Sequence, residues 1–345
     1  MPGHDIIVVG ASAGGVEALS ELVRGLPGDL PAAVFIVLHV PAQSPSILPQ
    51  ILARAGKLPA THALDGEEIA PGRVYIAPPD NHLLVERGHV RVVRGPKENR
   101  CRPAVDPMFR SAALAYGPRV VGVILTGALD DGTVGLRDLK KRGGTTIVQD
   151  PREALYPGMP QSALDNVKVD YCLPLAEIAP LLAHLASEPA ADEGAYPVPD
   201  DLKTEAGIAE QQMGAPELIE SVEKIGRRSI FTCPECSGTM WELTDGDLLR
   251  FRCHVGHAFS AESLMAEQAE TLEDALWSAV RALEEKVALA RRLAQRARDR
   301  SYHKAALTYD ERARVAEKQA EIVRQMLLNG REAKIDAVSE LIDPP

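Results

Sequence analysis

The strongest constraint in this sequence is a repeated alternation of short, almost wholly apolar runs with segments of helical period. Residues 6–10, 34–39, 74–77, 90–93, 120–126, 145–149 and 171–173 read as strands. Between them, 16–24, 46–55 and 107–116 carry apolar side chains on one helical face. A strand that is apolar on both sides must be covered on both. The pattern therefore predicts an α/β fold, a doubly wound and mostly parallel sheet between helices, with right-handed crossovers. The Glu-Arg-Gly-His run before Val90 predicts one antiparallel hairpin inserted in that scheme.

This alternation occupies residues 1–187. From 188 the composition turns to Pro, Ala, Asp and Glu without period, which predicts a linker reaching 228. Residues 229–260 hold a Cys-x-x-Cys pair and read as a small separate module, and 261–345 are helical in pattern. There Leu276, Val280, Leu283, Val287, Ala290, Ala294 and Ala297 recur at alternating steps of four and three, a heptad seam. A second stretch sets Val315, Ile322 and Met326 on one face. An antiparallel helical hairpin, or a coiled coil joining two chains as a homodimer, would each bury these residues. The charges of this region, acidic first (Glu262, Glu267, Glu270) and basic later (Arg291, Arg296, Arg300), read as solvated faces or as docking charges.

A formal charge of −11 argues against nucleic acid or an anionic membrane as a partner. No apolar run reaches the roughly 18 residues that insertion in a bilayer requires. The first residues lack the features of a signal peptide. The five cysteines are an odd number with one close pair, which suits metal or thiol chemistry in a reducing compartment, so a cytoplasmic location is expected.

The first strand runs through Gly10-Ala11-Ser12-Ala13-Gly14-Gly15 into a helix. A dinucleotide fold opens similarly, but its middle glycine is replaced here by Ser12, whose side chain obstructs approach to a pyrophosphate. The same turn leaves a serine hydroxyl beside N–H groups at a helix N-terminus, where an oxyanion is stabilised. His39 ends the second strand, and Asp130 and Asp131 follow the strand that ends near Thr126. In an open parallel sheet ligands bind outside the carboxyl ends of the strands, so serine, histidine and aspartate fall on one face. A serine attacking an acyl carbon, a histidine taking its proton and an aspartate orienting the imidazole would make a hydrolase. Spacing does not separate Asp130 from Asp131 in the last role.

GASAGG, LHVP, NRCRPAVDPMF, GVILTG…DDG and PGMPQSAL occur in this order. Over about residues 5–185 the sequence resembles the catalytic domain of the CheB-type protein-glutamate methylesterases. That resemblance implies Ser12 as nucleophile, His39 as base and Asp131, which directly precedes a glycine, as the orienting acid. It implies hydrolysis of glutamyl γ-methyl esters on methylated, chemoreceptor-like helical signalling proteins, with release of methanol and no catalytic cofactor. Deamidation of receptor glutamines is the related activity. This chain departs from the family pattern at Ala13 (often Thr), at Leu129 (Gly) and at Cys101 (His), the last read as a bystander. Family members often carry a phosphorylatable receiver domain ahead of the esterase. Here the sequence opens on the first esterase strand, so phosphorylation in cis is not expected.

Cys233-Pro-Glu-Cys236 is followed after sixteen residues by Cys253-His254-Val255-Gly256-His257. Two short-spaced pairs at such a separation suit tetrahedral Zn2+ in a closed, structural site. Cys233, Cys236, Cys253 and His257 are the natural ligands, with His254 as the alternate fourth. Residues 239–243 and 248–252 flank Asp245-Gly246-Asp247 as a zinc-ribbon-like hairpin would. Arg227, Arg228, Arg250 and Arg252 are balanced by Glu235, Glu242, Asp245 and Asp247, which favours a protein contact over nucleic acid. His62, His82 and His89 read as surface positions. The rival to an esterase is an esterase-like fold serving as a signalling scaffold, its cysteine and helical parts binding a partner. A nucleotide-binding domain ranks third.

Overall fold

In the computed structural model the first half of the chain alternates as its pattern demands. It runs β1 (Ile6–Ala11), α1 (Gly15–Gly25), β2 (Ala33–Leu38), α2 (Leu48–Ala55), β3 (Ala60–His62) and β4 (Val74–Ile76). There follow a hairpin of β5 (His82–Glu86) and β6 (His89–Val93), α3 (Val105–Tyr116), β7 (Val120–Ile124) and α4 (Thr133–Lys141). Next come β8 (Thr145–Gln149), α5 (Gly158–Asn166), β9 (Tyr171–Leu173) and α6 (Leu175–Ser187). Seven strands form one sheet in the order β3-β4-β2-β1-β7-β8-β9, every neighbouring pair parallel. The β5–β6 hairpin is a separate two-stranded sheet. The structure describes residues 3–43, 45–210, 215–245 and 248–342.

Alternation of side chains divides the core in two. Ile7, Val9, Val34 and Ile36 meet Leu19, Leu22, Leu52 and Leu182 on one face of the sheet. Ile6, Val8, Phe35 and Val37 meet Val105, Met108, Phe109 and Leu136 on the other. At Gly10 the second face has no side chain: a Cβ there would stand 2.4 Å from Val105 Cγ1. The missing atom lets the start of α3 lie directly on β1. Because β2 lies to one side of β1 and β7 to the other, their carboxyl ends diverge at the point where ligands bind in such sheets.

Beyond residue 187 the structure departs from the linker reading. Helices α7 (Asp200–Ala209) and α8 (Ala215–Ile225) lead into a four-stranded antiparallel sheet. Its strands are β10 (Gly226–Thr232), β11 (Thr239–Asp245), β12 (Leu248–Cys253) and β13 (Ala258–Ser260). Gly246 and Asp247, expected at the tip of the ribbon, lie outside the described residues. The chain divides into two units, Met1–Leu264 and Met265–Pro345, so the cysteine-bearing sheet belongs to the same unit as the parallel sheet. A buried ion network runs through this unit. Glu205 of α7 accepts from Arg110 of α3 at 3.2 Å, from Arg250 at 2.7 and 3.1 Å, and from Arg252 at 2.7 Å. Glu98 accepts from Arg110 at 2.7 and 2.8 Å and from Arg252 at 3.2 Å. Composition gave no warning of this, because the polar residues of α7 look like those of any solvated segment.

The second unit, from Met265 on, is an antiparallel pair made of the rest of α9 (Ala261–Asp299) and α10 (His303–Ile342). Val287 and Ala290 pack on Ala313 and Ala316, and Arg291–Glu317 and Arg298–Asp310 tie the helices at 2.8 and 2.6 Å. Of the α9 seam, Val280, Val287, Ala290, Ala294 and Ala297 are buried within one chain, and Leu276 and Leu283 are half-buried. On α10, however, Val315, Ile322 and Met326 are exposed, and Ala306, Ala313, Ala316, Ala320 and Leu327 are buried instead. Alanines permit close approach of two helices, whereas the larger side chains are turned outward. No described helix is long and apolar enough to cross a membrane.

Candidate active site

Three loops at the carboxyl ends of β1, β2 and β7 bring Ser12, His39 and Asp131 together. Ser12 follows β1 and is fixed by its own N–H, which donates to Thr126 O at 3.0 Å across the sheet. Its hydroxyl stands 3.0 Å from His39 Nδ1, and His39 Nε2 stands 2.7 Å from Asp131 Oδ2. With Nε2–H donated to the carboxylate, Nδ1 is left to accept from the serine. This reverses the roles the two ring nitrogens have in the chymotrypsin arrangement, but the relay is chemically the same. Asp130, the other candidate, points elsewhere: its Oδ1 accepts from Ser260 Oγ at 2.8 Å, and burial pushes its carboxyl up to about 6.

Asp131 is buried at the N-terminus of α3. Val105 N–H donates to its Oδ2 at 2.6 Å and Asp106 N–H to its Oδ1 at 3.3 Å, so the carboxylate caps two of the helix's unsatisfied donors. Asn99 Nδ2 adds a further donor to Oδ1 at 3.0 Å. Burial alone would raise this carboxyl's pKa, but the His39 contact, Val105 N–H and Asn99 outweigh it and keep it low. The adjacent Asp106 is pushed the other way, well above the usual carboxylate range, by burial and by the Asp131 charge. For His39, burial works to lower the pKa, whereas Cys101 and Asp131 beside it raise it above the ordinary 6.5.

A cavity of about 330 Å³ opens on His39 and is lined also by Pro41, Lys97, Arg100, Cys101 and Arg102. Cys101 is thus a neighbour of the imidazole, closer to the chemistry than the sequence reading allowed. Arg102 is held by Asp80 at 2.9 Å and by Gly95 O at 2.8 Å. Leu129 sits at φ +61°, the left-handed conformation that glycine adopts freely. The loop before Asp131 therefore keeps a glycine-type path in spite of the larger side chain. His82, expected at the surface, is fully buried between Pro96 O (2.9 Å) and Ala104 N–H (3.2 Å). Asn99 was not singled out from the sequence. Its position at the start of the Asn-Arg-Cys-Arg-Pro run was the available signal.

Cys233, Cys236, Cys253 and His257 offer four ligand atoms within 4.8 Å of one another. Cys236 Sγ and Cys253 Sγ are 3.7 Å apart, and His257 Nδ1 is 3.5 Å from Cys253 Sγ and 3.7 Å from Cys233 Sγ. Tetrahedral Zn–S bonds of about 2.3 Å require S···S edges of roughly 3.8 Å, close to the Cys236–Cys253 separation, so the donor set is of the kind that ion takes. His254 is outside the cluster, its ring packed against Gly238.

The CheB methylesterase family model matches residues 7–182. A protein-glutamate methylesterase/protein-glutamine glutaminase of Anaeromyxobacter dehalogenans is 44% identical over 184 residues, 52% of this chain and 51% of that protein. One from Paramagnetospirillum magneticum is 44% identical over 188 residues, 53% of this chain and 49% of its own length. The chain thus spans about half the length of these relatives. The crystal structure of the Thermotoga maritima CheB methylesterase catalytic domain is similar with a TM-score of 0.51 and 37% identity, covering 54% of this chain and 99% of that one. The matched residues are those that build the parallel sheet and carry Ser12, His39 and Asp131, and on that match the chain belongs to the CheB methylesterase family.

Proposed function

We propose that this protein is a serine-type protein-glutamate methylesterase acting on methylated, chemoreceptor-like helical proteins, with glutamine deamidation as a second activity. The observation that carries this reading is the Ser12–His39–Asp131 relay, with contacts of 3.0 and 2.7 Å and with His39 lining a cavity. Ser12 Oγ attacks the ester carbonyl carbon as its proton passes to His39 Nδ1. The N-terminus of α1 beside Ser12 is suited to stabilise the developing oxyanion. The C–OCH3 bond then breaks, and the methoxy oxygen leaves with the proton from His39 as methanol. Water attacks the acyl-serine, His39 takes its proton and returns it to Ser12 Oγ, and a glutamate carboxylate is released. Asp131 holds the ring and stabilises its cation in both halves. The cavity lining sets Lys97, Arg100 and Arg102 against Asp80, a net positive wall that suits an acidic, glutamate-bearing helix.

Cys233, Cys236, Cys253 and His257 are assigned to a structural Zn2+, whose role is to crosslink β10–β13 and not to act in the reaction. Elemental analysis should give one zinc per chain, falling in Cys233→Ser. A cytoplasmic location accords with five unpaired cysteines. Mass spectrometry of a methylated receptor peptide incubated with the full chain tests the function. Conversion of the methyl ester to the carboxylate is expected. An unchanged peptide would favour the scaffold reading instead.

A further inference from the structure

The cysteine-bearing sheet does not stand apart from the esterase site. His257, one of the four clustered ligands, directly precedes β13, and Cys253 N–H donates to His257 O at 2.9 Å, so the knuckle sets where β13 begins. Ala258 then pairs with the 97–99 backbone: its N–H donates to Lys97 O at 3.2 Å, and its carbonyl accepts from Asn99 N–H at 2.8 Å. Asn99 is held there at φ +48°, a conformation asparagine tolerates.

The Asn99 side chain lies between the two halves with every hydrogen-bonding position used. Its Oδ1 accepts from Ser260 N–H and from Ser263 Oγ–H, each at 3.0 Å. Its Nδ2 donates to Asp131 Oδ1 at 3.0 Å and to Asp106 Oδ2 at 2.9 Å. Asn99, Ser260, Ser263, Asp106 and Asp131 are all buried, so water cannot substitute for a missing partner. The amide cannot be turned over either. Rotation would set Oδ1 against the Asp131 carboxylate and its NH2 against the Ser260 N–H donor. Ser260 in turn caps α9, its Oγ accepting from Ser263 N–H at 3.0 Å, which fixes the pair as a unit.

We propose that Asn99 is a positioning residue for the esterase reaction, and that Ser260 and Ser263 of the cysteine-bearing module hold it against Asp131. The module is then a working part of the catalytic unit in cis, and any event that displaces β13 lowers turnover. This inference rests on the esterase reading above.

The test is steady-state methanol release by the full chain in wild type, Asn99→Ala, Ser263→Ala and Ser263→Thr, with the melting temperature of each recorded. Losing one net hydrogen bond corresponds to roughly 3–10-fold in rate. A fall of that size in kcat is expected for Ser263→Ala, and a larger one for Asn99→Ala, with KM within about twofold. Ser263→Thr, which keeps the hydroxyl, should recover the rate. If Asn99→Ala does not stay folded, the two Ser263 variants decide the matter alone. Wild-type kcat in Ser263→Ala and in any folded Asn99→Ala, alongside an active wild type, overturns the positioning role and leaves the esterase reading intact. No release by any variant, wild type included, removes both.

Discussion

Replacing Glu205 by alanine should destabilise the first unit more than any other single change outside the apolar core. Three guanidinium groups, those of Arg110, Arg250 and Arg252, converge on this carboxylate at 2.7–3.2 Å, and all four side chains are buried. Without it, Arg110 and Arg252 keep only Glu98 of the two carboxylates they share, and the buried cluster loses one negative charge with no water to replace it. Breaking a buried ion pair costs about 3–5 kcal/mol. For a unit of 264 residues that corresponds to a fall in Tm of about 5–10 °C. Burial alone would raise the Glu205 pKa, but Arg250, Arg252 and Arg110 hold it well below the usual range. A carboxylate with a depressed folded-state pKa contributes its stability above the unfolded value of about 4.3, and that contribution is lost as pH falls toward the folded one. Thermal melts of wild type and Glu205→Ala should therefore differ fully at pH 7 and progressively less below pH 4. A difference under 2 °C at pH 7, or one that grows on acidification, would refute the reasoning.

Three further outcomes follow from the site. Asp131→Asn should lower kcat by about 10⁴-fold, whereas Asp130→Asn, whose amide oxygen still accepts from Ser260, should change it by less than tenfold; steady-state kinetics of both variants checks this. Because His39 is raised above 6.5 and must be neutral to act as base, kcat/KM should rise with pH along a one-proton limb centred alkaline of 6.5. A limb at or below 6.5 in the pH–rate profile would contradict that sign. Gly10→Ala places a Cβ 2.4 Å from Val105 Cγ1 and should cost roughly 1–3 kcal/mol, recovered in the double variant with Val105→Ala; denaturant melts of the single and double variants decide it.

The parallel sheet was legible because its strands are apolar on both faces, a pattern little else produces. The convergence of Ser12, His39 and Asp131 followed from the rule about strand ends; spacing left Asp130 and Asp131 open, the family resemblance pointed to Asp131, and the physical reason for that choice lies in α3. Only the approach of Val105 over Gly10 brings helix N–H groups to the second carboxylate. What stayed hidden was contributed by residues distant in sequence. Glu205 looks like a surface glutamate until Arg250 and Arg252 arrive from β12, and Asn99 gains its role only when Ser260 and Ser263 close over it. On α10 the one-face spacing of large apolar side chains favoured Val315, Ile322 and Met326. The helices instead selected alanines for close packing.

The most direct measurement is methanol release from a methylated chemoreceptor fragment by the full chain, wild type against Ser12→Ala. The account predicts sustained release by wild type and a loss of about 10³-fold or more in the variant, with its Tm unchanged. Equal release by both proteins would contradict the assignment of Ser12 as the nucleophile.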